Sequence, residues 1–141
     1  MEKEKILVGA CLLGVNCKYD GKNNKNEKIL EYLKDKEIIP ICPEQLGGLK
    51  TPRVASEIVG DKVLNREGQD VTRYFKKGAE ESLHLAKLLG VEKALLKESS
   101  PSCGVNKIYD GSFTHKKING SGITTRLLKD NEIEIISEDD L

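Results

Sequence analysis

The strongest constraint in this chain is a set of short apolar runs, at residues 5–10, 38–41, 93–96 and 132–136, separated by segments of a different periodicity. Each run is short enough to be a strand and too short for an ordinary helix. Residues 27–36 place Ile29, Leu30 and Leu33 at helical spacing. Residues 71–89 line up Val71, Phe75, Ala79, Leu83 and Ala86 on one helical face, with Asp70 as N-cap and Gly90 as terminator. A last helix starts at Gly120 or Ser121 and runs to about residue 131. Strand–helix–strand order of this kind predicts an α/β fold: a mostly parallel sheet with flanking helices, Rossmann-like and three-layered, joined by right-handed crossovers. Pro40 places the second strand at an edge or a strand end.

The remaining segments predict smaller features. Residues 43–53 read as a loop punctuated by Gly47, Gly48 and Pro52. Residues 56–64 read as a weak hairpin around Gly60-Asp61, and 108–113 as a hairpin pivoting on Asp110-Gly111. No repeat, low-complexity tract or linker interrupts the 141 residues, which suit one domain spanning 1–141.

Charge and composition exclude several partners. Lys plus Arg and Asp plus Glu are 23 each, so no overall positive field holds a nucleic-acid backbone. Tryptophan is absent and aromatics are scarce, which argues against base-stacking platforms. The apolar run before Cys11 is too short for a lipoprotein signal and has Glu2 and Glu4 where basic residues belong. A cytoplasmic protein with no membrane partner is expected. In a reducing compartment its four cysteines are metal ligands, catalytic groups or core rather than disulfides.

The positions of those thiols are informative. Cys11 directly follows the first run, Cys42 directly follows the second, and Cys103 lies in the loop after the third. A parallel sheet places its ligands beyond the carboxyl ends of its strands, so these three thiols are predicted to meet at one edge. A lone cysteine is usually a small buried hydrophobe; joint placement at three strand ends is not explained that way. Close Cys pairs of the structural-zinc type and Cys-x-x-Cys are both lacking. Dispersed ligands suit a bulkier [4Fe–4S] cluster. Cys17, in a polar loop with no evident packing constraint, is read as a bystander. If three thiols bind, one iron stays open as a Lewis acid.

Several neighbours offer chemistry. Glu44, two residues after Cys42, is a candidate proton donor or acceptor. Ser100 and Ser102 are candidates to orient a water or a substrate carbonyl, whereas Ser99 reads as a turn residue. Asp20 lies near Cys17 and is a candidate for the pocket wall. His84 and His115 lack ligand-like partners in sequence and read as structural or solvated.

Read together, Ala10-Cys11-Leu12-Leu13-Gly14, Tyr19-Asp20-Gly21, Cys42-Pro43-Glu44-Gln45-Leu46-Gly47-Gly48 and Thr51-Pro52-Arg53 resemble one bacterial and archaeal domain family that includes thiouracil desulfurase. Gly68-Gln69-Asp70-Val71-Thr72, Ser100-Pro101-Ser102-Cys103-Gly104 and Tyr109-Asp110-Gly111-Ser112-Phe113 extend the match over nearly the whole chain. The resemblance implies a [4Fe–4S] cluster held by Cys11, Cys42 and Cys103. Its free iron takes sulfur from a thiocarbonyl such as that of 2-thiouracil, and sulfide is released without net redox change. It further implies proton handling and substrate positioning at Glu44 and Ser100, and a small-molecule thio-substrate as the partner. Some relatives, the desulfurase type among them, carry a second helical domain that these residues do not contain. Two other readings stay open: a non-enzymatic iron–sulfur or metal-binding module, and a thiol enzyme handling persulfide on Cys11 or Cys17.

Overall fold

The computed structural model describes residues 2–141. Its centre is a four-stranded parallel sheet of β1 (Lys5–Gly9), β2 (Glu37–Ile41), β5 (Lys93–Leu96) and β8 (Glu134–Ser137), in the order β2-β1-β5-β8. Strand β1 is buried from Ile6 onward, as a central parallel strand covered on both faces must be. Its alternate side chains divide the interior. Ile6 and Val8, with Leu95 and Ile136, pack on Ile29 and Leu33 of α1 (Glu27–Leu33). Leu7, with Ala94, Leu96 and Ile135, packs on Ala86 of α3 (Thr72–Leu89) and Leu128 of α4 (Ile123–Asp130). These are the three expected layers. Pro40 lies in β2, an edge strand.

Two antiparallel hairpins lie outside the sheet: β3 (Ser56–Val59) with β4 (Lys62–Asn65), and β6 (Lys107–Tyr109) with β7 (Lys117–Asn119). Ile58, Val63 and Ile108 pack with Phe75 beneath them. The second hairpin is wider than the sequence predicts. Asp110-Gly111 does not form a two-residue turn; Asp110 N–H instead reaches Lys116 O across a seven-residue excursion. The side chain of Glu57 explains this, because it captures the N–H groups of Gly111 and Phe113.

The segment expected to be a loop from residue 43 begins with one helical turn, α2 (Pro43–Leu46). Proline at its first position supplies a suitable φ. Gly47, at the end of α2, meets Gly78 on α3 with no room for side chains. A Cβ on Gly47 would lie 1.9 Å from Tyr74 O, and one on Gly78 would lie 1.9 Å from Pro43 O. This backbone contact fixes the segment that carries Cys42 and Glu44. Among the described residues, no helix is long and apolar enough to cross a membrane.

Candidate functional site

The order of the strands leaves a crevice where the chain leaves β1 toward β2 on one side and β5 on the other, as the switch-point rule requires. Cys11 occupies a 3-10 turn, Ala10–Leu13, directly after β1. Cys42 stands between β2 and α2, and Cys103 lies in the loop after β5. All three line one cavity of about 310 Å³. Cys17 lines it too and is only 3 % exposed. The loop is therefore more constrained than its polar sequence suggests. Arg53 Nη2 donates to Cys17 O at 2.9 Å, and Arg53 N–H donates to Tyr19 O at 2.7 Å, which folds residues 17–19 inward.

The thiols differ in acidity. Cys11 and Cys42 are each lowered from 9.0 to about 7, with the Cys17 thiol as the first cause in both, and Cys42 Sγ in its protonated form donates to Cys17 O at 3.7 Å. For Cys11 the Cys17 hydrogen bond is the largest cause, partly offset by burial and aided by Asn24 Nδ2, 3.5 Å from Sγ. For Cys42 the Cys17 bond again leads; the Gln45 N–H and the Arg53 charge assist against burial. One S–H proton serves one acceptor at a time, so Cys11 and Cys42 share it. Cys17, as that donor, is pushed up and keeps its proton. Cys103 is also raised, first by burial and then by the charges of Glu44, Cys11 and Cys42.

Among the described residues, no three His, Cys, Asp or Glu side chains converge to cage a single metal ion. Soft sulfur donors spread around a cavity fit a multi-iron cluster better than one ion. Two of them already lean toward the thiolate form that binds metal.

The loop bearing Cys103 is held from inside by Glu98, 6 % exposed. Its Oε1 accepts the N–H groups of Val105, Asn106 and Lys107 at 2.8, 2.7 and 3.0 Å. Its Oε2 accepts Ser137 Oγ at 2.7 Å and Asn106 Nδ2 at 3.3 Å. Burial alone would raise this carboxyl. The N–H groups of Lys107, Asn106 and Val105 and the Ser137 hydroxyl outweigh it and hold the pKa at about 2.

Glu44 and Ser100 both line the cavity. Glu44 Oε2 accepts Arg53 Nε at 2.7 Å, and Oε1 has no protein partner among the described residues. Ser100 Oγ accepts the N–H groups of Ser102 and Cys103 at 3.1 and 3.0 Å. Its own hydrogen remains available to the cavity.

Two expected substrate contacts fall elsewhere. Ser102 does not line the cavity; its hydroxyl pairs with Thr124 Oγ1 at 2.8 Å in the core. Asp20 turns away to accept Lys22 N–H at 3.0 Å, while its neighbours Lys18 and Tyr19 face the cavity. His115, read from sequence as structural or solvated, lines the cavity and meets the Tyr109 ring edge-on at 6.3 Å.

Three comparisons bear on this site. The family model described as 2-thiouracil desulfurase matches residues 6–140. The chain belongs to the 2-thiouracil desulfurase family. Within that family it resembles "Uncharacterized protein YbbK" of Bacillus subtilis (strain 168), 42 % identical over 146 residues that span 96 % of this chain and 97 % of that protein. It also superposes on the solved structure of a [4Fe-4S]-dependent thiouracil desulfidase, TudS, with a TM-score of 0.93 at 45 % identity, covering 99 % of this chain and 93 % of that one. The match leaves no unmatched stretch in that desulfidase large enough for the second helical domain expected of desulfurase-type relatives.

Proposed function

We propose that this member of the desulfurase family is a carbon–sulfur bond-cleaving enzyme that removes sulfur from 2-thiouracil or a related thiolated base, holding a [4Fe–4S] cluster through Cys11, Cys42 and Cys103. The observation that carries this reading is the convergence of these thiols, with Glu44 and Ser100, on one cavity in a fold shared with a cluster-dependent thiouracil desulfidase. Bound there, the cluster supplies a soft Lewis acid with affinity for a thiocarbonyl sulfur.

The protein's own groups account for the rest. Water replaces sulfur at the ring carbon, so substrate plus water gives the oxo base plus hydrogen sulfide, with no electron gained or lost. Ser100 presents a hydroxyl hydrogen whose direction is fixed by the two N–H bonds to its oxygen. That donor suits a ring carbonyl or the attacking water. Glu44 Oε1 exchanges the proton that water loses and the departing sulfur gains, while Arg53 holds the other oxygen in place. The burial of Cys103 and Cys17 keeps bulk solvent from the sulfur-lined end.

Anaerobic reconstitution followed by assay with 2-thiouracil tests the reading. The expected result is a brown protein that releases one sulfide per uracil formed. A bound cluster with no sulfide release would favour the carrier module, a reading that gains support from the burial of Cys17 among the other thiols. Sulfide release that survives complete removal of iron would favour persulfide chemistry on a thiol.

A further inference from the structure

Glu57 has no role in the scheme above, yet its geometry is unusual. It lies on β3, outside the parallel sheet, and only 7 % of it is exposed. Burying a carboxylate is costly unless its oxygens find partners. Oε1 has two, the N–H groups of Gly111 at 2.9 Å and Phe113 at 3.2 Å. Oε2 has neither a hydrogen bond nor an ion pair with any described residue, although Glu57 lines the same cavity as the thiols. No buried side-chain oxygen among the described residues is sealed away without a partner, so Oε2 keeps its access to the cavity. A brace alone needs one acceptor oxygen. The second is an accessible acceptor on the cavity wall with no protein donor.

The loop that Glu57 braces also faces the cavity. Phe113 and His115 adopt φ values of 59° and 63°, a left-handed conformation that side-chain-bearing residues avoid. Strain of this kind persists where the surroundings impose it, and it gathers at ligand sites. The loop thereby presents His115 beside Tyr109 on the wall of the cavity that Glu57 also lines.

We propose that Glu57 Oε2 is a substrate-binding acceptor that takes a ring N–H of a cyclic thioamide and so selects bases with a hydrogen on that nitrogen. This rests on the desulfurase reading and adds to it a specificity group on the wall formed by the β3–β4 hairpin. A cyclic thioamide offers an N–H next to its C=S carbon. An anionic acceptor facing that edge orients the ring, whereas a substituted nitrogen meets it with no donor.

The test uses Glu57→Gln. The amide oxygen of glutamine keeps the two backbone bonds, while its NH₂ turns the cavity-facing atom from acceptor to donor. In the reconstituted enzyme, KM for 2-thiouracil is expected to rise about 10- to 100-fold, the loss of one hydrogen bond to a charged group, with kcat within about twofold. Wild type should discriminate against one of the two N-methylated 2-thiouracils by a similar factor, and Glu57→Gln should lose that discrimination. An unchanged KM, or equal discrimination in both proteins, would overturn the proposal.

Calorimetric titration with uracil, N1-methyluracil and N3-methyluracil provides a readout independent of turnover and, on wild type, independent of the variant's folding. Tight binding of uracil with loss for one methylated form supports the acceptor. Equal binding of all three rejects it. If uracil binds in this selective way while 2-thiouracil yields no sulfide, the desulfurase reading fails and the Glu57 site stands. If sulfide is released with no N–H selectivity, the reverse holds.

Discussion

The loop after β1 and the loop after β5 each bring a thiol to the same cavity, but they are built in opposite ways. The β5 loop is knitted from within: Glu98 gathers three consecutive N–H groups, Ser100 takes two more, and Thr125 Oγ1 donates to Cys103 O at 2.9 Å. Its thiol is buried and resists ionisation. The β1 loop instead closes through its own backbone, with Asn24 N–H donating to Cys11 O at 2.9 Å and Asn26 N–H to Leu12 O at 3.2 Å, is tied inward by Arg53, and has its thiol acidified by a neighbouring sulfur. One wall thus holds a neutral thiol on a loop braced by an ionised carboxylate, while the other carries a thiol primed to lose its proton.

Cysteine replacement should break the comparison most completely. Cys103→Ala, Cys11→Ala and Cys42→Ala are each expected to abolish iron retention after reconstitution, as read by iron content and the visible spectrum. Cys17→Ala should keep the cluster. Equal loss in Cys17→Ala would mean four protein ligands and no open iron.

The struts should separate the two loops next. Glu98→Ala strands several N–H groups in the interior and is expected to cost about 3 kcal/mol or more in denaturant unfolding. Asn24→Ala, which removes only the long contact to Cys11 Sγ in the β1 loop, should cost about 0.5 kcal/mol or less. Lowering pH sharpens the same contrast. The depressed pKa of Glu98 gives stability that is complete above its ordinary value of 4.5 and is lost as pH falls toward about 2.

The smallest effect is on reactivity. In metal-free protein, iodoacetamide alkylation of the first thiol of the Cys11–Cys42 pair should be half-maximal near pH 7, where an ordinary thiol needs about pH 9. Below pH 7 both thiols protonate and slow. Cys103 should stay unmodified throughout that range. Mass spectrometry of the labelled peptides would show a buried, neutral Cys103 to be wrong if it reacted as quickly as Cys11.

Much of this was legible in the sequence because local pattern and topology agree. The runs that became β1 and β2 lead into Cys11 and Cys42, Cys103 lies in the loop after β5, and the parallel-sheet rule carries all three to one edge without any knowledge of contacts. What stayed hidden depends on partners remote in sequence. Cys17 is drawn inward by Arg53, which sits in the Thr51-Pro52-Arg53 motif with no local sign of its reach. Glu57 gave a faint signal, a charge next to Ile58-Val59 in a hairpin strand; its meaning needed the loop at Gly111 and Phe113. Asp20 and Ser102 show the complementary point: nearness in sequence to a thiol does not fix which way a short polar side chain turns. Asp20 closes its own turn and Ser102 finds Thr124 in the core.

The strut inside the β5 loop has a temporal consequence. Glu98 is anchored by the Ser137 hydroxyl, and its N–H by Glu138 Oε1 at 2.9 Å. The wall carrying Cys103 therefore stays incomplete on a ribosome until Ser137 and Glu138, some 40 residues downstream of Glu98, have emerged. An inorganic centre arriving before then would meet a loop without its strut, and a chain lacking Ser137 would be a poor recipient for it.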